Sequence, residues 1–145
     1  PDNTYGPRDN FNPNQSRVIP SLIYKTFESK KDIQVWGSGN QKKTFVYVKD
    51  LIRGMLLGLE KYPKPDPINI SSGVEVSIKQ LVKMIIKISN RKRNINFDES
   101  KPESSFTRSM NIIKAEKILK YHPEWSMEKG LEKTIEWYKK DIQNN

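Results

Sequence analysis

The side chains best suited to chemistry in this sequence are cations set beside aromatic rings. Lys42 and Lys43 open the run Thr44-Phe45-Val46-Tyr47, a short way beyond Trp36. Ammonium groups at a loop-to-strand junction can hold a diphosphate through charged hydrogen bonds while a ring packs on a base or sugar. The same aromatics at strand alternation would equally serve a core, so composition alone leaves both readings open. Gly37-Ser38-Gly39 has the opening of the glycine fingerprint that cradles a pyrophosphate. The third glycine position is Lys42 and no helix follows at once, so a tight turn is the expectation. His122, in Lys120-Tyr121-His122-Pro123, has no Ser or Cys nucleophile pattern nearby to serve as base and reads as a loop histidine. Arg91-Lys92-Arg93 follows a helical pattern, where cations favour the C-terminal end of the macrodipole.

Composition narrows the classes. Lys and Arg number 26 against 17 Asp and Glu, for a formal charge of +9. That implies attraction to anions without saying which. The basic residues are scattered through amphipathic patterns and form no recognised reading motif, so nucleic acid is not an expected partner. The absence of Cys excludes disulfides, thiol catalysis and thiolate metal sites, and the single His cannot build a histidine-rich zinc site. No run approaches the ~20 apolar residues that cross a bilayer; Met55-Leu56-Leu57 is flanked by Gly54 and Gly58. A soluble, cytoplasmic, metal-free protein with no membrane partner is expected. The 145 residues make one domain or part of one, and the start at Pro1-Asp2-Asn3 without Met suggests a piece of a longer chain.

The elements that must position these groups are mixed. Thr4 to Asn14, rich in Gly, Pro, Asn and Asp, reads as a long loop leaving a strand. Val18, Ile19, Leu22, Ile23 and Phe27 recur at helical spacing, with Ser16 as cap, Pro20 in the first turn and an end near Lys30. Ile33 to Trp36 and Thr44 to Tyr47 are β-rich runs around the glycine turn. A helix from about Lys49 to Leu59 carries Leu51, Ile52, Met55, Leu56 and Leu59 on one face. Three prolines at 63, 65 and 67 then break helix, and Ile68-Asn69-Ile70 predicts a strand. Ser77 to Gln80 is a capping box ahead of a helix burying Ile78, Leu81, Val82, Ile85 and Ile86. Asn94 to Phe97 predicts a short strand. Asn111 caps a helix bearing Ala115, Ile118 and Leu119, and a last helix, about Met127 to Lys140, buries Leu131, Ile135 and Tyr138. The order is α/β with no internal repeat.

Four segments taken together carry a resemblance: Asn3-Thr4-Tyr5-Gly6-Pro7-Arg8-Asp9-Asn10-Phe11; Val18-Ile19-Pro20; Val35-Trp36-Gly37-Ser38-Gly39 with Phe45-Val46-Tyr47-Val48-Lys49-Asp50; and Lys101-Pro102. In this order they resemble the extended short-chain dehydrogenase/reductase family of NAD(P)-dependent nucleotide-sugar epimerases and dehydratases, nearest its GDP-L-fucose synthase branch. Ile68-Asn69-Ile70, Ser72-Gly73 and the stretch from Gly130 to Tyr138 extend the likeness along nearly the whole chain.

The resemblance implies the C-terminal portion of a doubly wound parallel-sheet protein together with its small mixed α/β substrate-binding subdomain, spanning 1–145. The family's glycine-rich cofactor turn and its Tyr-x-x-x-Lys pair are not in this sequence. Tyr5, Tyr24, Tyr47, Tyr62, Tyr121 and Tyr138 are followed four places on by Asp9, Glu28, Leu51, Asp66, Trp125 and Ile142. What it implies here is recognition: Asn3 and Thr4 beside NAD or NADP in the intact protein, and Arg17, Lys25, Trp36, Lys43, Lys101 and Arg108 around a nucleotide-diphosphate sugar. No catalytic residue and no metal ligand is implied within 1–145, and a homodimer is the family's common state. The family usually has Arg at the position of Lys43, which offers a point charge instead of a bidentate fork. Arg17 stands where the GDP-L-fucose synthases carry His, and Asn111 replaces a frequent Asp. The implied function is the sugar-nucleotide-recognising part of such an enzyme, inactive alone; the alternative is a non-catalytic binding or scaffolding module with the same pocket.

Overall fold

The computed structural model describes residues 2–30, 32–101 and 109–141. In chain order the elements are β1 (Asn3–Tyr5), α1 (Val18–Glu28), β2 (Asp32–Trp36), β3 (Lys42–Tyr47), α2 (Val48–Lys61), β4 (Glu75–Ser77), α3 (Ile78–Ser89), β5 (Asn94–Asp98), α4 (Ile113–Leu119) and α5 (Met127–Asp141). One sheet has the order β1-β3-β4, with β1 parallel and β4 antiparallel to β3; β2 and β5 form a separate parallel pair. The two β-rich runs around the glycine turn therefore belong to different sheets.

Local rules account for most of this. In β2, Ile33 and Val35 are buried while Gln34 and Trp36 face out, the period-two alternation of a half-buried strand. In α3 the Ser77 hydroxyl accepts from the Gln80 amide at 3.1 Å, and the Gln80 side chain takes the Ser77 N–H at 2.9 Å, a closed capping box. Asn90, left-handed at φ 52°, ends the same helix. Thr26 and Thr134 are buried and donate to the carbonyls of Leu22 and Gly130, four residues back, so neither hydroxyl is orphaned.

Two corrections follow from the backbone. Ile68-Asn69-Ile70 is not a strand: Ile70 is buried, but the third strand of the first sheet is β4, where Lys42, Lys43 and Thr44 pair with Ser77, Val76 and Glu75. Ser16 does not cap α1. The helix starts one residue later, with Arg17 as a cap residue whose side chain makes no capping bond, and the Ser16 hydroxyl is buried without a partner. Asn111 accepts the Ile113 amide at 2.8 Å, from one residue ahead of the formal cap Ile112.

Two apolar clusters form. The larger gathers α1, α3 and α5 with the strands, and the smaller gathers Ile70, Ile112, Ala115, Leu119 and Tyr121 with Leu51 and Leu57 of α2. Gly54 lets α2 lie directly on Ile70, since a Cβ there would come within 2.7 Å of the Ile70 side chain. Asp50 joins the clusters. Its carboxylate, 2 % exposed, accepts the Glu124 amide at 3.0 Å and the Trp125 amide at 3.0 Å, tying the first turn of α2 to the loop that enters α5. Arg53 lies 3.4 Å from the same carboxylate, bridges Glu124 at 3.1 Å, and donates to the His122 carbonyl. Trp125, so fixed, packs on Tyr47 with ring centroids 4.5 Å apart. His122 is an exposed loop residue, as expected.

Removing a buried acceptor leaves its donors unpaired at full desolvation cost. Asp50→Ala is expected to lower unfolding free energy by about 2 to 3 kcal/mol, and Asp50→Asn, which keeps a carbonyl oxygen, by less. Urea titration followed by tryptophan fluorescence checks this; an alanine variant as stable as the parent would refute the role given to Asp50.

Candidate functional site

The segment between β1 and α1 folds back on itself and walls a concavity of about 510 Å³, lined among others by Thr4, Arg8, Asp9, Asn10, Gln15, Arg17 and Val48. Its shape comes from short polar turns. The Asn10 side chain accepts the Asn12 amide and the Asn12 side chain the Asn14 amide, both at 3.0 Å, and the Asn12 carbonyl takes the amides of Gln15 and Ser16. Phe11 anchors the loop from beneath. It is buried 4.8 Å from the Tyr138 ring and 5.7 Å from the Trp137 ring, so α5 holds the wall in place. Arg8 sits at φ 68°, a left-handed conformation that a branched-chain-free cation still pays about 1 to 2 kcal/mol to adopt. Such outliers concentrate where function demands a direction.

The electrostatics favour an anion carrying hydroxyls. Arg8 and Arg17 bring positive charge to the concavity, and Arg17 stands at the start of α1, whose first-turn amides have no side-chain acceptor. Asp9 supplies the opposite character. One carboxylate oxygen accepts the Asn10 amide at 2.8 Å; the other is buried with no partner. Burial raises the Asp9 pKa above its ordinary 3.8, against the opposing effects of the Asn10 amide and the Arg17 charge. A buried acceptor without a donor, in the wall of a concavity, is a departure that calls for a partner.

Of the residues named from the sequence, Thr4 and Arg17 line this concavity. Thr4 donates to the Asp2 carbonyl at 3.1 Å. Asn3 alternates to the other face of β1, where its amide donates to the Thr44 carbonyl at 3.1 Å and laces β1 to β3. Lys25 is half-buried on α1 and donates to the Gln34 carbonyl at 2.9 Å; desolvation lowers its pKa. Trp36, 57 % exposed, and Lys101 meet at the end of the β2/β5 pair, where the Asp98 carbonyl accepts both the Gly37 and the Lys101 amides. Gly37 and Gly39 have φ of 80° and 73°, the tight turn expected of them. The turn rests on Phe97, and its carbonyls at Gly39 and Gln41 accept the Lys79 and Ile78 amides, so it is fixed to the start of α3. Lys43 lies just beyond, half-buried in β3 opposite Val76, while Phe45 and Tyr47 beside it are core. Arg108 lies outside the described residues. Sequence reasoning missed Gln15 and used Arg8, Asp9 and Asn10 only as part of a pattern. The clustering of Asn and Asp between Gly6 and Ser16 signalled turns, and nothing in it signalled an orphaned carboxylate oxygen.

Among the described residues no helix is long and apolar enough to cross a membrane, and no group of three or more His, Asp or Glu could hold a metal ion.

Comparison with known proteins adds a family. Residues 1–71 match the NAD dependent epimerase/dehydratase family. Over 151 aligned residues the chain is 35 % identical to a GDP-L-fucose synthase of Sinorhizobium fredii, covering 100 % of this chain and 47 % of that protein. It is 33 % identical to a dTDP-4-dehydro-6-deoxy-D-allose reductase of Streptomyces bikiniensis, covering 96 % of this chain and 42 % of the relative. Among solved structures, a GDP-L-fucose synthetase from Naegleria fowleri superposes with a TM-score of 0.93 at 27 % identity, over 99 % of this chain and 45 % of that one; another crystal structure of it is bound to NADP. The chain thus spans about half the length of the curated relatives it matches.

The raised pKa of Asp9 fixes the sign of a pH effect. The folded state disfavours the carboxylate, so the stability tied to Asp9 is fully present below its ordinary 3.8 and is lost as pH rises through its raised folded value. Asp9→Asn, neutral throughout, is expected to melt higher than the parent at pH 7, with the gain vanishing at about pH 3. Calorimetric melting across that range checks it; a gain that persists in acid would assign the effect to something other than the buried charge.

Proposed function

We propose, for a chain that belongs to the NAD dependent epimerase/dehydratase family, that residues 1–145 form the C-terminal substrate-binding part of a nucleotide-sugar epimerase, dehydratase or reductase. The observation that carries this is the concavity at the start of α1, where two arginines and an uncapped helix end surround a buried, unpartnered Asp9 oxygen. Arginine there takes diphosphate oxygens in bidentate geometry, and Asp9 accepts a sugar hydroxyl. Trp36, Lys43 and Lys101 serve the nucleotide, with Lys25 held on the strand before Trp36 through the Gln34 carbonyl; Arg108, outside the described residues, is assigned to the same ligand by the family likeness alone.

NAD or NADP, when bound to the intact enzyme, supplies the hydride acceptor and donor. Thr4 is the group of this chain on that side; the Asn3 amide is spent on Thr44 and serves by fixing the end of β1. The residues of 1–145 bind and orient, which places reacting atoms at high effective concentration without moving protons themselves. The chain alone is therefore inactive, and the intact enzyme works as a cytoplasmic homodimer that binds neither nucleic acid nor membrane.

Thermal-shift and calorimetric titrations with GDP-, dTDP- and UDP-sugars test the reading. A ligand that stabilises the chain is expected, with Arg17→Ala raising its Kd by about 10- to 100-fold, the worth of one charged hydrogen bond. No stabilisation by any of the three nucleotides would refute the site. Measurable hydride transfer from NADPH by this chain would refute its inactivity.

A further inference from the structure

The chain carries a second cationic concavity, of about 690 Å³, that the nucleotide-sugar reading leaves unused. Lys30 and Asp32 wall it where α1 passes into β2, and Arg91, Lys92, Arg93 and Asn94 wall it where α3 passes into β5. Asp32 and Asn94 open the two parallel strands in register, whereas Trp36 and Asp98 close them. At about 3.3 Å per residue the two ends of the pair stand ~13 Å apart, so this concavity is no part of the surface that Trp36 and Lys101 form.

Four cations face one carboxylate there, and the carboxylate neutralises none of them. Asp32 accepts the Asn94 side-chain amide at 3.1 Å and forms no ion pair among the described residues. The ordinary use of cations after a helix is to meet its last carbonyls. At α3 the backbone has already done so. Asn90, left-handed at φ 52°, directs its amide to the Ile86 and Lys87 carbonyls, and the Arg91 amide meets that of Ile86 at 3.4 Å. Arg93 serves α1 instead: its Nε donates to the Thr26 carbonyl at 3.1 Å, while its Nη1 donates to the Lys92 carbonyl at 3.2 Å. The Arg91 guanidinium lies over the Phe27 ring, 5.1 Å from its centroid. Both guanidinium groups are thus held in direction, with more N–H donors than these contacts use. The ammonium groups of Lys30 and Lys92 have no partner among the described residues.

Like charges gathered without a counter-charge repel one another, and an anion bound among them removes that cost. A concave wall favours a compact ligand over an extended polyanion. The cations stand on both strand-entry segments, so two linked phosphates can engage both where a single phosphate engages one. We propose that this concavity is a second anion site, and that its ligand is a compact, freely diffusing diphosphate held by Lys30 on one side and by Arg91, Lys92 and Arg93 on the other. It goes beyond the nucleotide-sugar reading and does not depend on it, because no residue lining the first concavity lines this one.

The test is a titration of inorganic pyrophosphate into the nitrogen-15-labelled chain at pH 7 and about 0.15 M NaCl, with amide shifts read residue by residue. Saturable shifts at Lys30, Asp32 and Arg91 to Asn94 are expected, with a Kd of about 1 mM or tighter. Shifts at Arg8 to Arg17 report the first concavity separately, so loss of either site leaves the other readable. Lys92→Ala should raise the Kd read at Arg91 to Asn94 by about fivefold or more, and Lys30→Ala combined with it by about 20-fold or more. The Tm of both variants should stay within about 2 °C of the parent, since neither ammonium group is bonded within the fold. A Tm that falls in each variant, with no saturable shift in the parent, would return these cations to a purely structural role and overturn the proposal. Inorganic phosphate should bind the same amides about tenfold more weakly, and equal binding would overturn the diphosphate assignment. Tighter binding of a single-stranded oligonucleotide or of phosphatidylglycerol vesicles to those amides at the same salt would also overturn it, because an extended polyanion would then hold the surface.

Discussion

The Asp50 carboxylate is the constraint on which the arrangement turns. It sits in the first turn of α2, where its charge favours the helix N-terminus, and it spends both oxygens on backbone amides of the loop before α5. It adds to the hydrogen bonds by which Asp2 meets Ile70 and Ser71 a further tie between the smaller cluster around Tyr121 and the larger one around Tyr47. With it, Trp125 is delivered onto Tyr47, α5 is aimed across the strands, and its far end reaches the Phe11 anchor. Tyr121 shares the node: its hydroxyl donates to the Ser71 carbonyl at 3.2 Å, and burial raises its pKa to about 12.

The concavity is built at some expense to the fold that holds it. Arg8 is left-handed, Ser16 is buried and unbonded, α1 starts without a cap, and Asp9 keeps a desolvated oxygen. Each departs from what a stability-driven sequence would choose, and the four lie within about ten residues of one another, in contrast to the closed capping box of α3. Local violations gathered in one place are the mark of a surface kept for a partner.

Much of the architecture was legible because it follows from short-range rules. The capping box of α3, the alternation in β2, the glycine turn and the i, i+3, i+4 spacing of α5 are all encoded within a few residues of where they act. What was illegible depends on distance. Ile68 to Ile70 has strand composition, but its burial comes from α2 and α4, and the sheet edge went to β4 instead. Leu51, Ile52, Met55, Leu56 and Leu59 read as a single apolar face, whereas packing divides them between Leu51, turned partly inward, and four exposed neighbours. For the site, the aromatic and basic composition led to Trp36 and Lys43 and the family likeness to Thr4 and Arg17. Asp9 escaped because an unpaired oxygen is a property of surroundings, and a sequence records only the group.

The stack that seats the loop joins segments far apart in the sequence: Phe11, just after β1, rests on Trp137 and Tyr138 of α5. On a ribosome adding about 5 to 20 residues per second, every other described element, five strands and four helices, is made before α5 and so before that contact can close. The wall of the concavity thereby acquires its anchor only once α5 has been made, and a chain without α5 carries the loop unanchored.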